Sequence, residues 1–212
     1  MFRSKPNLAL NKFIGEKLPH DQLFAMTDSN WGPQDSSIPS PSTTDKVPLH
    51  ISQSQAGFIF FLYGPLTWNS HRNKTTARSS ADAEIHSVNS CTKEFQYINN
   101  VIDELHIHQL IPCPTNIYND NTGCVYWSGN MTNRNLRHLQ ICENAVREQV
   151  QLKYINILHC EGTKNIADIF TKENKDKQHY LKMRDVIVCD PIPLLKSQSS
   201  SLARGVLAHD GF

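Results

Sequence analysis

Apolar and polar positions switch between two periods along the chain. Gln22 to Met26 is a brief apolar run that leads into Asp28 and is stopped by Gly32-Pro33, which places Asp28 at a strand end. Gly57 to Tyr63 is almost continuously apolar and of strand length. Gly64-Pro65 closes it and Leu66-Thr67-Trp68 follows, the pattern of a central hairpin. Thr115 to Tyr118 and Tyr154 to His159 read as two further strands, the first delivering Asp120 at its tip before Asn121-Thr122-Gly123 breaks it.

The helical period is clearest after Ser79 and Asp82, which have capping-box spacing. Ile85, Val88, Cys91, Phe95, Ile98, Ile102 and Leu105 then recur at three and four. Glu84 falls in the first turn, off the Ile85 and Val88 stripe. Leu136 to Leu152 forms a second amphipathic pattern, with Leu139, Cys142, Ala145, Val146 and Val150 inward and Arg134, Arg137, His138 and Arg147 outside. Thr122 to Asn133 reads as turn-rich, with Trp127 in the core. A last helix is expected from about Asn165, with Asp168 in its first turn and a charged, solvent-facing continuation from Lys172 to Arg184. Strand, hairpin, helix, strand, helix, strand, helix is the order of an α/β fold, a mixed central sheet flanked by helices.

Composition narrows the function classes. With 212 residues the chain suits one main core, assigned to residues 21–188. Residues 1–20 read as a residual linker, 33–54 as an exposed insertion and 189–212 as a disordered tail. Lys and Arg total 21 against 20 acids, a net charge of +1, so any contact with nucleic acid must be local rather than a property of the whole surface. Arg72, Lys74 and Arg78 cluster just before the first helix; such residues commonly form a solvated loop, and they are also suitably placed for phosphate contacts. The six cysteines have no paired spacing and read as reduced thiols, and no apolar run suits a membrane span or a signal peptide. A cytoplasmic or nuclear protein is expected. Neither a zinc module nor a paired Ser or Cys nucleophile is indicated.

Four acids remain. Asp28 and Asp120 end strands, while Glu84 and Asp168 open helices; each alone is an ordinary turn or helix-start acid. Strand tips and helix starts can share one edge of a mixed sheet. Gathered there, four carboxylates would raise one another's pKa unless a cation intervened, and hard oxygen ligands favour Mg²⁺ or Mn²⁺. Two such ions would support phosphodiester hydrolysis.

The same residues carry a family resemblance. Thr27-Asp28-Ser29-Asn30-Trp31-Gly32, Gly64-Pro65-Leu66-Thr67-Trp68, Ala77-Arg78-Ser79-Ser80-Ala81-Asp82-Ala83-Glu84, Ile117-Tyr118-Asn119-Asp120-Asn121, Arg137-His138-Leu139-Gln140 and Asn165-Ile166-Ala167-Asp168-Ile169-Phe170-Thr171-Lys172 run in the order seen in the ribonuclease H (RNase H) region at the end of copia-type retrotransposon polyproteins. The resemblance covers roughly residues 21–188. It implies an RNase H-like fold in which Asp28, Glu84, Asp120 and Asp168 hold two Mg²⁺ or Mn²⁺ ions and the RNA strand of an RNA–DNA hybrid is cut. It further implies a reverse transcriptase portion as partner and a virus-like particle or the nucleus as location. His159 lies near where such enzymes often carry a mobile histidine, and equally suits a structural role. A catalytically silent remnant that binds nucleic acid or a partner is the alternative, and an integrase- or transposase-type nuclease on the same fold is a third reading.

Overall fold

The computed structural model describes residues 22–31, 53–62, 64–108, 113–129, 140–172 and 176–188. Five strands, β1 Phe24–Asn30, β2 Gln55–Phe61, β3 Pro65–Arg72, β4 Thr115–Asn119 and β5 Ile155–His159, form one sheet in the order β3-β2-β1-β4-β5. The helices are α1 Ser80–Glu104, α2 Thr122–Gly129, α3 Gln140–Gln151 and α4 Lys177–Ile187. Two short 3-10 segments, Gly162–Lys164 and Ile166–Phe170, lie between β5 and α4.

β1, β2 and β3 form an antiparallel meander, whereas β4 pairs parallel to β1 and β5 parallel to β4. The chain leaves β1 for β2 on one side and returns to β4 on the other. Adjacent C-terminal strand ends at such a reversal open a crevice, and β1 and β4 flank it here.

Alternation along the strands sorts side chains onto two cores. Phe58 and Phe60 join Ile85, Val88, Phe95, Ile117, Trp127 and Val146 on the face covered by α1, α2 and α3. Phe24, Met26, Ile59 and Phe61 pack on the opposite face with Ile166, Ala167 and Val186. Phe24 stacks on Phe61 and meets Tyr118 edge-on, so aromatic contacts tie three strands on the second face.

Several elements depart from the sequence reading. Asp28 is the fifth of seven residues in β1, inside the strand rather than at its end, because Ser29 and Asn30 continue to pair with β2. The segment read as turn-rich from Thr122 is helical to Gly129: the Asn121 side chain accepts from the Cys124 N–H, and Cys124 and Trp127 are buried. No single helix runs from Asn165 to Arg184. Asn165 instead caps a 3-10 turn through the Ala167 N–H, and α4 starts only after Asp176, whose carboxylate accepts from the Gln178 and His179 N–H groups.

Smaller corrections concern facing. Leu105 lies exposed just beyond α1, and Ala145 of α3 is exposed, while Val146 is buried and Val150 partly so. Arg147, read as outward, lies half-buried with its guanidinium 4.7 Å from the Trp127 ring centre. Trp127 is in the core as expected. The tails 1–20 and 189–212, Arg134, Arg137, His138 and Leu139 lie outside the described residues, as does the side chain of Cys142. Of the insertion 33–54 only Gln53 and Ser54 are described; Ser54 is buried, and its hydroxyl accepts from the Asn73 side chain at 2.7 Å.

Candidate active site

Strand β1 continues outward from its aromatic half into Thr27-Asp28-Ser29-Asn30, where the first three residues are tied to α1 and Asn30 to the segment around Thr171. Thr27 and Ser87 of α1 share a hydroxyl contact of 2.7 Å, and the Ser87 hydroxyl also lies 2.7 Å from the Asp28 carbonyl. Ser29 N–H donates to Glu84 Oε1 at 3.1 Å. The Asn30 side chain donates to the Thr171 carbonyl, and the Trp31 indole N–H to the Ala77 carbonyl. Small hydroxyls at Thr27 and Ser87 let α1 approach β1 closely, which brings Glu84 to the strand.

Glu84 faces inward. Only 5% of it is exposed, and its second oxygen accepts from the Asn119 amide at 2.8 Å. That amide also donates to the Thr27 carbonyl, which the Asn165 side chain meets from the other direction at 3.0 Å. Asn119 ends β4, and its side-chain oxygen accepts from the Asn121 N–H, turning the chain so that Asp120 emerges beside Asp28. Asp28, Glu84 and Asp120 each offer an oxygen within 4.8 Å of the other two.

Asp168 arrives from the opposite face on the second 3-10 turn. Its approach depends on Gly57, the β2 residue opposite Asp28, since a Cβ there would lie 2.7 Å from Phe170 Cβ and 2.9 Å from Thr171 Cγ2. The Thr171 hydroxyl donates to Asp28. Gly162 serves Asp120 similarly: a Cβ at that position would lie 3.1 Å from Asp120 Oδ2. Lys172 then sets its Nζ among the acids, 2.7 Å from Asp168, 3.3 Å from Asp28 and 3.9 Å from Asp120.

Crowding shows in the acid strengths. Burial, followed by Asp168 and Asp120, raises Asp28 to about 7 against the relief of Lys172 and Thr171. Burial and then Asp28 raise Glu84 to about 8, although Asn119 and Ser29 hydrogen-bond its charged form. Asp168 is also raised, mainly by burial. For Lys172 burial works downward, but Asp28, Asp168 and Asp120 outweigh it and raise the ammonium above its ordinary value. A site in which two acids, Asp28 and Glu84, are held apart from water and two partly exposed ones, Asp120 and Asp168, stand beside them, with an ammonium drawn in, suits a divalent cation.

All four sequence-chosen acids thus come to one place, although Asp28 and Glu84 are buried rather than exposed. His159 is exposed at the end of β5, where its backbone pairs with Asn119, one residue from Asp120. Arg72 is exposed at the end of β3; it pairs with Gln55, which pairs with Asn30, so it lies at the same sheet edge as the acids. Lys74 and Arg78 are exposed in the following loop, whose Ala77 carbonyl holds Trp31. Sequence reasoning gave no role to Lys172, Thr171, Asn119, Asn165 or Ser87. Asn beside Asp in Asn119-Asp120 and the i, i+4 spacing of Asp168 and Lys172 were the available signals.

No protein-family model matches the chain. Over 152 residues, 71% of its length, it is 30% identical to the retrovirus-related Pol polyprotein from transposon RE2 of Arabidopsis thaliana. It is 33% identical over 121 residues, 56% of its length, to the corresponding polyprotein from transposon RE1 of the same plant. The chain spans only 9% and 8% of those polyproteins. Among solved structures, an RNase H1 isolated from compost by a metagenomic approach superposes with a TM-score of 0.50 at 11% identity, covering 71% of this chain and 93% of that one.

The architecture is therefore an RNase H-like α/β fold. Its relatives by sequence are Pol polyproteins of copia-like transposons, and the chain is homologous to one short segment of them.

Proposed function

We propose that this chain is a metal-dependent RNase H domain that hydrolyses the RNA strand of an RNA–DNA hybrid, in association with the reverse transcriptase portion of a parent polyprotein. The observation that carries this reading is the convergence of Asp28, Glu84, Asp120 and Asp168 from four separate segments at the crevice between β1 and β4. Homology to Pol polyproteins and the RNase H-like fold support the substrate class.

Asp28, Glu84 and Asp120 would hold one divalent ion, Mg²⁺ or Mn²⁺, and Asp28 with Asp168 would form the position of a second. Bound there, such ions supply the Lewis acidity that phosphodiester hydrolysis requires. The chain's own contribution is preorganisation. Ser29 and Asn119 fix both oxygens of Glu84, and Thr171 fixes Asp28, so the carboxylates need little rearrangement on binding. Arg72, Lys74 and Arg78 would contact phosphates along the same edge, with RNA told from DNA through its 2′-hydroxyls. His159 is exposed at the end of β5, where its backbone pairs with Asn119, and would assist product departure.

The test is cleavage of labelled hybrid, duplex DNA and duplex RNA by the purified chain in Mg²⁺ or EDTA. Hybrid alone should be cut, in Mg²⁺ alone. Asp120→Asn should abolish cutting while the circular dichroism spectrum stays unchanged. Near-normal Mg²⁺-dependent cleavage by that variant, or a preference for duplex DNA, would overturn the assignment; hybrid binding without cleavage by the unaltered chain would favour a silent binding module.

A further inference from the structure

We propose that Trp31 is a substrate-binding residue whose exposed indole face packs against the sugar of a nucleotide close to the scissile phosphate. The inference rests on the RNase H reading above and adds to it a nonpolar contact beside the cations.

Trp31 directly follows β1, on the strand that carries Asp28. Ser29 N–H donates to Glu84 Oε1 at 3.1 Å, and two residues at about 3.3 Å each carry the chain no more than ~7 Å from there to Trp31. Along one strand of a duplex that span is about two nucleotides. Half of the Trp31 side chain is exposed. Exposure of a single aromatic is common and by itself carries nothing. This ring, however, is also held.

Its N–H donates to the Ala77 carbonyl at 2.9 Å, in the loop that bears the exposed Lys74 and Arg78. That loop is fixed at further points. Asn73 bonds Ser54 through both its backbone N–H and its side chain, the Lys74 carbonyl accepts from the Gln53 amide, and the Arg78 N–H donates to the Asp82 carboxylate at 2.7 Å. Trp31 and two cations therefore stand on one rim, between the end of β1 and the start of α1. Because the indole directs its only polar atom at the protein, what it offers outward is apolar. In a paired hybrid the base faces are stacked on one another, so an aromatic at the groove edge meets the C–H surface of a sugar. Lys74 and Arg78 take neighbouring phosphates.

The two kinds of contact respond differently to salt, since counterion release belongs to the cations and not to the ring. Hybrid binding in Ca²⁺ should therefore be measured across a range of salt for the unaltered full-length chain, Trp31→Phe and Trp31→Ala. Trp31→Ala should bind about tenfold more weakly at every salt concentration, with the slope of log Kd against log salt unchanged. Trp31→Phe keeps an aromatic face without the N–H and should stay within about threefold of the parent. Full affinity in Trp31→Ala would overturn the proposal. So would equal losses in both variants or a flattened slope, because the ring would then act only by holding the Ala77 loop and its cations. A second readout keeps the side chain in place: in the chain labelled with 5-fluorotryptophan, the Trp31 resonance, assigned by its absence from Trp31→Phe, should shift on adding hybrid while that of the buried Trp127 does not. An unmoved Trp31 resonance at saturating hybrid would likewise overturn the proposal. An unaltered chain that binds no hybrid would instead remove the RNase H reading, and the proposal with it.

Discussion

Glu84 and Asp28 show how the site stores its demand for a cation. In an unfolded chain both carboxyls ionise near 4, whereas the folded, metal-free chain keeps its proton on Asp28 up to about 7 and on Glu84 up to about 8. Between those limits the folded chain binds more protons than the unfolded one. The stability from these two groups is therefore complete below about pH 4 and is lost as pH rises toward 8. Melting in EDTA should give a lower Tm at about pH 8.5 than at about pH 5.5, and Mg²⁺ should raise Tm more at the higher pH. A metal-free Tm that climbs across this window would contradict the crowding. Asn119→Ala removes one donor from Glu84 and one from the Thr27 carbonyl, and urea unfolding should show a loss of about 1–3 kcal/mol. The acids were legible from their residue type and motif. Their supports were not, since an asparagine at a strand end carries the same local signal whether it faces water or a buried carboxylate.

At the scale of elements, α1 was legible because its core residues repeat at helical spacing over 25 residues and Ser79 caps it through the Asp82 N–H. The segment from Asn165 was misjudged because Ile166, Ala167 and Phe170 suit a helix stripe equally well. Contact with β1 and β2 selects the tighter turn, seating Ile166 and Ala167 in the second core and presenting Asp168 at the crevice. Gly57 makes that contact possible. Gly57→Ala should push the turn from the sheet, costing about 1–3 kcal/mol in urea unfolding and weakening Mn²⁺ binding by moving Thr171 off Asp28. Unchanged stability and ion affinity would mean that the turn has slack the close approach does not show. Helix α2 was missed for the converse reason: Gly123 and Gly129 are local breakers, and burial of Cys124 and Trp127 outweighs them.

Over the whole molecule, a net charge of +1 leaves little long-range attraction for a polyanion, so hybrid binding should rest on local cations. Replacing Arg72, Lys74 and Arg78 together by Ser should weaken hybrid binding in Ca²⁺ and flatten its salt dependence by about two to three phosphate equivalents. An unaltered slope would place the nucleic acid elsewhere. The five strands and longest helix, the four acids and their likeness to copia-type elements were all determined by the sequence alone, because hydrophobic period and residue type are local properties. Only the tertiary structure decided that Asp28 lies within a strand, that Glu84 is buried against a residue 35 positions away, and that Lys172 closes on Asp28 across 144 positions. Local pattern records which face of an element is apolar. Which charges meet beyond that face depends on strand order, register and the space left by a missing Cβ, and these exist only once the sheet has assembled.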